Sequence, residues 1–449
     1  MSSSLKSTFN LIKSKTPGSV SLRYRDFRLY WTGQVISVSG QQMSWVAQGW
    51  LIYELTGSKL LLGAAGLAQA IPSTLLTLLG GVAADKFDQR RLLMGIQVMQ
   101  MLLLSILATL CVTETVQIWH LFAIITCTSA IGAFENPTRS ALFPHLLQRH
   151  ALLDAVALNS TVHPGTRMVA PAIGGLLLGQ VTSLSSSAMV GAGAVYYITA
   201  AGFAVSALMI RLVKLPSVKR SGKTSVAHDL TAGLKFIAKN RIFALLIGMT
   251  YSIQFFGAAA QSLFPVFAKD VLHTNASGLG FLYSALGVGS LLGAILSASL
   301  VASRKRGLYM IGGAVVTALF FGVFAFSTVY SLSLIALAIS GAGQSMFNVA
   351  AQSTLQILVP NDMRGRVMGV WALTHSSVQP LGQLEMGAVA AALSAPWAVF
   401  IGAGALLAIV LFVAAPNRRI RDVGKVVEMN SETSQNYATA GVRSETEPL

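Results

Sequence analysis

Residues 81–91 read GVAADKFDQRR and join two long apolar stretches of the chain. The glycine Gly81 allows two helices to approach closely, and Asp85 with the basic pair Arg90 and Arg91 suits a tight turn at a membrane surface. Taken alone, such a loop only orients a chain in a bilayer. The composition of the whole chain tests whether this loop belongs to a membrane protein.

The chain has 449 residues, of which 53% are hydrophobic and 11% are charged, and its mean hydropathy is +0.64. A soluble domain carries about a quarter charged residues, so this composition predicts a membrane protein. The formal charge of +16 would suggest nucleic-acid binding in a soluble chain. Both cysteines, Cys111 and Cys127, fall inside apolar runs, which excludes a disulfide framework and a cysteine metal site.

Apolar stretches long enough to cross a membrane recur along the chain, since a helix needs about 20 mostly apolar residues to do so. We predict twelve spans, and we expect the first to be retained rather than cleaved as a signal peptide. They begin near Leu29, Leu60, Leu92, Ile118, Val156, Ala188, Ile242, Gly278, Leu308, Ser331, Val367 and Trp397. A basic break at residues 212–239 divides them into six and six, which predicts two domains.

The basic residues fix the predicted orientation. If the N-terminus is cytoplasmic, all but three of the 32 Lys and Arg residues fall on the cytoplasmic side, and only Lys59, Arg167 and Lys269 do not. The even number of spans returns the C-terminus to the same side. We therefore expect a multi-pass protein of the cell (inner or plasma) membrane with both termini cytoplasmic, whose charge marks topology and contacts anionic lipid rather than nucleic acid.

The loop at residues 81–91 resembles the signature of the major facilitator superfamily, in which Gly, three residues, Asp and a basic residue precede a Gly and a basic pair. Asp88 stands where that family usually has the second Gly. In span five, Pro171 with Gly174 and Gly175 resembles the proline-glycine element of exporters in this superfamily. The alternative for these three residues is a kinked, tightly packed helix.

Five further stretches are similar to the branch that holds enterobactin exporters and macrolide efflux proteins. They are residues 24–29, 54–58, 137–142, 157–160 and 359–369. The resemblance covers the chain apart from its tails. It implies an all-α integral membrane protein of the major facilitator fold, a secondary transporter whose twelve transmembrane helices form two six-helix bundles around a central cavity.

We predict five regions along the chain. They are a cytoplasmic N-terminal tail (1–22), the N-terminal six-helix bundle (23–211), a cytoplasmic linker (212–240), the C-terminal six-helix bundle (241–416) and a disordered cytoplasmic tail (417–449). Apolar residues at helical spacing in residues 228–241 predict an amphipathic surface helix in the linker, although a solvated linker helix is the preferred explanation for them. The polar composition of the tail predicts disorder.

Charges inside spans are costly, so each indicates a function or a partner. Glu135 precedes Arg139 by four residues, which places both on one helix face as a static ion pair or a proton site. Glu385 has no basic residue within a turn, and desolvation there favours its neutral form. Arg167 lies near mid-span and needs a partner. We predict Glu135, Glu385 and Arg167 as the residues of proton coupling.

Three spans carry polar stripes that predict the faces of the substrate cavity. The members are Gln34, Gln41, Trp45 and Gln48 in span one, Gln344, Asn348 and Gln352 in span ten, and His375, Gln379 and Gln383 in span eleven. Hydrogen bonding between helices is the alternative role for these side chains. Amides with tryptophans suit a large, partly apolar cargo better than a small ion.

Motifs of other function classes are missing from the sequence. Residues 217–224 lack the first glycine of a phosphate-binding loop, and neither a zinc protease nor a serine hydrolase motif occurs. We therefore expect no enzyme, no cofactor and no metal, and transport energy drawn from a gradient. Span four lacks the arginine that many drug/proton antiporters of the superfamily carry.

These patterns favour a monomeric proton-coupled exporter of a small organic compound of siderophore or drug type, working by alternating access. Protons, the small-molecule substrate and the lipid bilayer are the expected partners, and no nucleic acid is expected. We predict a cytoplasmic gate at Gly81, Asp85, Arg90 and Arg91. The alternatives are an importer or facilitator of the same fold and a transport-inactive membrane sensor or assembly protein.

Overall fold

A computed structural model describes residues 20–214, 226–300 and 305–425. All regular secondary structure in these residues is helical, which confirms the predicted all-α class. The first half contains α1 (Arg25–Thr56), α2 (Lys59–Lys86), α3 (Gln89–Val112), α4 (Ile118–Gly132), α5 (Glu135–Leu142), α6 (Leu152–Ser160), α7 (Val162–Ser185) and α8 (Ala188–Leu212).

In the second half, π-helical turns interrupt the α-helices. Its helices are α9 (Val226–Lys239), α10 (Arg241–Ser252), α11 (Ala276–Leu300), α12 (Arg306–Phe326), α13 (Tyr330–Leu358), α14 (Asn361–Leu373), α15 (Gln379–Ala392), α16 (Ala395–Ile409) and α17 (Arg418–Arg421). A π-helical turn follows α10 at Ile253–Gly257, and another joins α14 to α15 at Thr374–Val378. The two turns pack against each other.

Ten helical segments of the described chain are long and apolar enough to cross a membrane. Two of the twelve predicted spans are not among them. The first is α1, which at 32 residues is long enough but carries many Gln and Ser residues. The second is span eleven, which the π-turn at Thr374–Val378 divides into α14 and α15. The count of twelve stays a prediction for these two segments.

The contacts divide the chain into two compact units. Unit 1 runs to Leu51 and resumes from Pro72 to the end of the first half, whereas unit 2 consists of Ile52–Ile71 and everything from α9 onward. Ile52–Ile71 therefore packs with unit 2, although it precedes the predicted linker. The predicted boundary within residues 212–240 stays a prediction.

Small residues bring the helices of unit 1 together, as expected where lipid supplies no hydrophobic force between helices. A Cβ atom on Gly40 of α1 would lie 3.0 Å from Thr199 Cγ2 of α8, and the Thr199 hydroxyl donates to the Gly40 carbonyl (3.1 Å). In α7, a Cβ atom on Gly174 would lie 2.9 Å from Met43 Cα. Gly174 thus permits the tight packing that the proline-glycine element predicted.

In unit 2, glycines likewise allow close packing between α11 and α13. Gly289 and Gly293 of α11 face the backbone carbonyls of Ala338 and Ala342, so that a side chain at either glycine would collide with α13. Helix α9 lies within the predicted linker, and its Ile237 is buried in the core of unit 2. The predicted role of this helix at the membrane surface stays a prediction. Helix α17 lies inside the segment 417–449 predicted to be disordered, whereas residues 426–449 and 1–19 lie outside the described residues.

Candidate functional site

Glu135 and Arg139 form a buried ion pair in unit 1. They lie one turn apart on α5, and Arg139 Nη2 is 2.7 Å from Glu135 Oε1. Only 7% of the Arg139 side chain and 16% of the Glu135 side chain are exposed. The four-residue spacing in the sequence predicted this pair.

Three residues that the sequence did not single out complete this cluster. Gln97, fully buried on α3, donates from Nε2 to Glu135 Oε1 (3.2 Å). On α1, Ser37 accepts from Arg139 Nη2 (3.3 Å), and the ring of Tyr30 lies 5.6 Å from the guanidinium carbon. Glu135 Oε1 thus accepts from both Gln97 and Arg139.

Helix α7 carries the third predicted charge, Arg167. Its side chain is half-buried and makes a polar interaction. His163, one turn earlier on the same helix, lies within electrostatic range of both Glu135 and Arg139. The histidine was missed because nothing in its sequence neighbourhood indicates that α7 passes the ion pair.

The polar stripe of α1 separates into a buried and an exposed part. Gln34 is 5% exposed and its Oε1 has no partner among the described residues. By contrast Gln41 is exposed, Trp45 is 48% exposed, and Gln48 is half-buried with a polar partner. The stripe therefore offers exposed amide and indole groups only along its second half.

The polar stripe of α13 in unit 2 also runs from a buried to an exposed residue. Gln344 is 5% exposed, and its Nε2 lies beside Gly257 in the first π-turn without a partner among the described residues. One turn later, the buried Asn348 Oδ1 is likewise unpartnered within the described chain. Gln352 is exposed. The unpartnered Gln344 amide thus lies beside a π-turn, a feature that often marks functional sites.

Helix α15 carries Glu385, which differs sharply from Glu135. No donor in the described residues reaches the buried Glu385 Oε2. Gln379, at the start of the same helix, is half-buried, and the His375 side chain lies outside the described residues. Of the two predicted proton sites, only Glu385 presents a carboxylate oxygen that is buried and unpartnered.

Glu385 lies between the two residues that pack α15 on α2. The backbone and side-chain oxygens of Gln383 face Gly63 and Gly66, and a Cβ atom on Gly387 would lie 2.8 Å from the Lys59 carbonyl oxygen. We call this contact the α2–α15 seam. Gln383, predicted to line the cavity, is packed within the seam here.

Unit 2 also contains a cluster of charged and polar side chains. Lys269 Nζ is 2.7 Å from Glu54 Oε2, and the Tyr53 hydroxyl donates to Asp270 Oδ2 (2.5 Å). The predicted topology puts these residues on the outer side of the membrane. The sequence could have indicated this cluster, because Lys269 is one of the three basic residues that the predicted topology does not place on the cytoplasmic side. Asp270 follows it directly.

Gly63 should not tolerate a larger side chain, because it faces α15 directly. A methyl group there would collide with the backbone of Gln383 and lie 3.0 Å from Leu384 Cα, so Gly63→Ala should open the α2–α15 seam and cost about 1–3 kcal/mol of stability. Gly404→Ala is the matched control, because its methyl group meets nothing within 4 Å and alanine favours a helix by roughly 0.5–1 kcal/mol over glycine. Thermal unfolding of both purified variants should therefore shift in opposite directions, and equal shifts would refute the close packing.

The predicted cytoplasmic gate residues lie at the turn between α2 and α3. Asp85 and Arg91 are exposed, and Arg90 donates from Nε to the Ile210 carbonyl (3.2 Å) and from Nη2 to that of Arg211. Arg90 therefore caps the last turn of α8. A Cβ atom on Gly81 would meet nothing within 4 Å. The close helix contact lies one residue earlier, at Gly80, where a Cβ atom would be 2.8 Å from the Ala133 carbonyl oxygen.

Asp88 explains why the turn accepts an acid where the superfamily usually has glycine. Its backbone is extended (φ −63°, ψ 114°), so no left-handed residue is needed. Its carboxylate accepts from the Arg91 backbone N–H (2.8 Å) and caps the first turn of α3.

The family model described as "Transmembrane secretion effector" matches residues 17–444. The chain belongs to this family. As a transmembrane secretion effector it is a multi-pass membrane transporter of the major facilitator superfamily and not an enzyme, which confirms the predicted class.

This transmembrane secretion effector is similar to curated exporters. It is 27% identical over 328 residues to the enterobactin exporter EntS of Shigella boydii serotype 18, covering 70% of this chain and 73% of that protein. It is 26% identical over 379 residues to EntS of Shigella boydii serotype 4, covering 81% and 85% of the two chains. The predicted branch of the superfamily is thereby confirmed.

Solved structures share the fold at low sequence identity. A bacterial homolog of the human lysosomal transporter Spinster, in an inward-facing and unoccupied conformation, matches with a TM-score of 0.68 at 14% identity, over 91% of this chain and 98% of that one. A POT family transporter matches with a TM-score of 0.68 at 11% identity, over 88% and 96%. These likenesses support the predicted fold of the chain.

Proposed function

We propose that this protein exports a small organic compound of siderophore or drug type from the cytoplasm in exchange for protons. The similarity to enterobactin exporters over more than two thirds of the chain supports a siderophore as cargo. It acts by alternating access in the cell membrane, as a monomer with both termini in the cytoplasm. The contrast between Glu135 and Glu385 carries the proton-coupling part of the proposal.

Glu385 is the proton site, and Glu135 is a structural anion. Removing an ionised carboxylate from water costs several kcal/mol unless it is paired, whereas a neutral unpaired polar group costs about 1–3 kcal/mol. Glu135 is paired with Arg139, but Glu385 Oε2 has no partner in the described chain. Glu385 therefore gains more from binding a proton while the α2–α15 seam is packed.

Proton binding is coupled to transport through the α2–α15 seam. Glu385 lies two residues from both Gln383 and Gly387, which form the seam with α2. A protonated Glu385 favours the packed seam, and an ionised Glu385 favours an open seam that water can enter. Because the seam lies toward the predicted outer side, a proton taken up there would close it after cargo has left.

Cargo contacts are supplied by the amide and indole groups that the helices leave available. Trp45 and Gln41 of α1 are exposed, and Gln344 and Asn348 of α13 have unpartnered polar atoms among the described residues. Arg167 is proposed to join proton and cargo binding, and Asp85 and Arg91 to act at the cytoplasmic gate. Arg90 supports that gate by capping α8.

Export of a siderophore is tested in a strain that makes enterobactin but lacks its own exporter. Expression of this chain should raise the siderophore content of the medium and lower that of the cells, as measured by chromatography, because the proposed transport direction is outward. Glu385→Gln should reduce this effect at equal protein level, because only downhill movement of the siderophore remains once transport is uncoupled from the proton gradient. Retention of the siderophore in cells that hold the folded wild-type protein would refute this cargo, and its accumulation inside them would indicate an importer.

A further inference from the structure

A basic helical turn follows the last membrane span of unit 2. The span Ala395–Ala414 ends four residues before α17 begins. Ile420 and Val423 are fully buried, whereas Arg418, Arg419 and Arg421 are exposed. Residues 418–425 thus form a short amphipathic segment at the end of a membrane helix.

The backbone of this segment is fixed against unit 2. A Cβ atom on Gly307, at the start of α12, would collide with the Ile420 carbonyl oxygen and lie 2.8 Å from that of Arg421. The Asn417 side chain accepts from the Arg419 backbone N–H (3.0 Å). Helix α10, which begins at the exposed Arg241, also contacts α17. The three arginines are therefore presented from a rigid base rather than from a loose tail.

The positive charge of the segment is compensated only in part by its one carboxylate, Asp422. Lys425 Nζ is 2.8 Å from Asp422 Oδ1. The hydrogen bond and charge of Lys425 lower the pKa of the Asp422 carboxyl, and Arg421 and Arg418 add to this effect. Among residues 20–214, 226–300 and 305–425, no carboxylate forms an ion pair with Arg418, Arg419 or Arg421. Three guanidinium groups thus remain available to an external anion.

The surface just before the arginines is apolar. Leu411, Phe412 and Val413 are 47%, 81% and 49% exposed at the end of the last span. A free phosphate ion would satisfy the arginines but leave this apolar surface without a partner. A lipid with a phosphate headgroup and acyl chains matches both parts.

We propose that residues 411–421 form a binding site for an anionic glycerophospholipid. Arg418, Arg419 and Arg421 donate to its phosphate, and its acyl chains lie against Leu411, Phe412 and Val413. The site holds the end of the last span at the membrane surface and is separate from the transport path.

The proposal is tested by native mass spectrometry of the purified full chain with phosphatidylglycerol, phosphatidylcholine or inorganic phosphate. Wild type should retain phosphatidylglycerol in preference to phosphatidylcholine. Replacing the three arginines together (Arg418→Gln, Arg419→Gln, Arg421→Gln) should weaken phosphatidylglycerol binding on the order of 100-fold at low salt. The matched control replaces three exposed arginines of unit 1 (Arg25→Gln, Arg28→Gln, Arg149→Gln) and should lose far less binding than this triple variant, because these arginines lack the apolar surface at residues 411–413.

Three results would overturn the proposal. They are unchanged phosphatidylglycerol binding by the folded triple variant, an equal loss in the control variant, and displacement of the lipid by inorganic phosphate, which would indicate a simple anion site. The three single Arg→Gln variants, each expected to lose part of the binding, provide the same comparison if the triple variant does not fold.

Discussion

Arg139→Met should destabilise the protein by about 3–5 kcal/mol, because it leaves a buried carboxylate without its charge partner. Glu135 keeps only the Gln97 amide in this variant, and its side chain is 16% exposed. Water can therefore replace only part of the stabilisation that the guanidinium gives to the carboxylate. Thermal unfolding of the purified protein measures the loss, together with the yield of folded protein in membranes.

The matched control for Arg139→Met is the double variant with Glu135→Gln. It removes both charges and retains a side chain that Gln97 can contact, so it should recover most of the lost stability. The single variant Glu135→Gln leaves Arg139 charged and buried, and it should be destabilised as well. If Glu135→Gln were as stable as wild type, Glu135 would be neutral in the folded protein, and its assignment as a structural anion would be wrong.

The sequence predicted the helical class and most spans because bilayer thickness imposes a length and a polarity on each one. It could not predict the π-turns at Ile253–Gly257 and Thr374–Val378, since no residue type requires them. Nor could it place Ile52–Ile71 with unit 2. That packing depends on which glycines meet across helices, and Gly63 and Gly387 are far apart in the chain.

The candidate site was predicted in part for a similar reason. Helical spacing places Glu135 beside Arg139 and aligns Gln34 with Gln41, because positions four or seven residues apart share a face. Spacing shows which residues share a face of a helix, but it does not show where along that face neighbouring helices cover the side chains. It therefore could not distinguish the buried Gln34 from the exposed Gln41. Tyr30 and Gln97 were missed because their role depends on neighbouring helices that the sequence does not order in space.

Glu385→Gln should uncouple transport from the proton gradient, because a neutral amide cannot release a proton when the α2–α15 seam opens. The variant should remain folded, since the amide is neutral as the proposed proton-bound carboxyl is. Downhill exchange of cargo should therefore persist. Glu135→Gln/Arg139→Met is the control, and it should retain a gradient response if Glu135 has only a structural role.

The most direct test of proton-coupled export is cargo flux in proteoliposomes with an imposed pH gradient. Purified wild-type protein and Glu385→Gln are reconstituted at equal density, and siderophore movement is followed with and without the gradient. We expect wild type to move cargo against the direction of proton flow and to slow when the gradient is collapsed, whereas Glu385→Gln should move cargo at one rate in both conditions. A wild-type rate that does not change when the gradient is collapsed would contradict proton-coupled export.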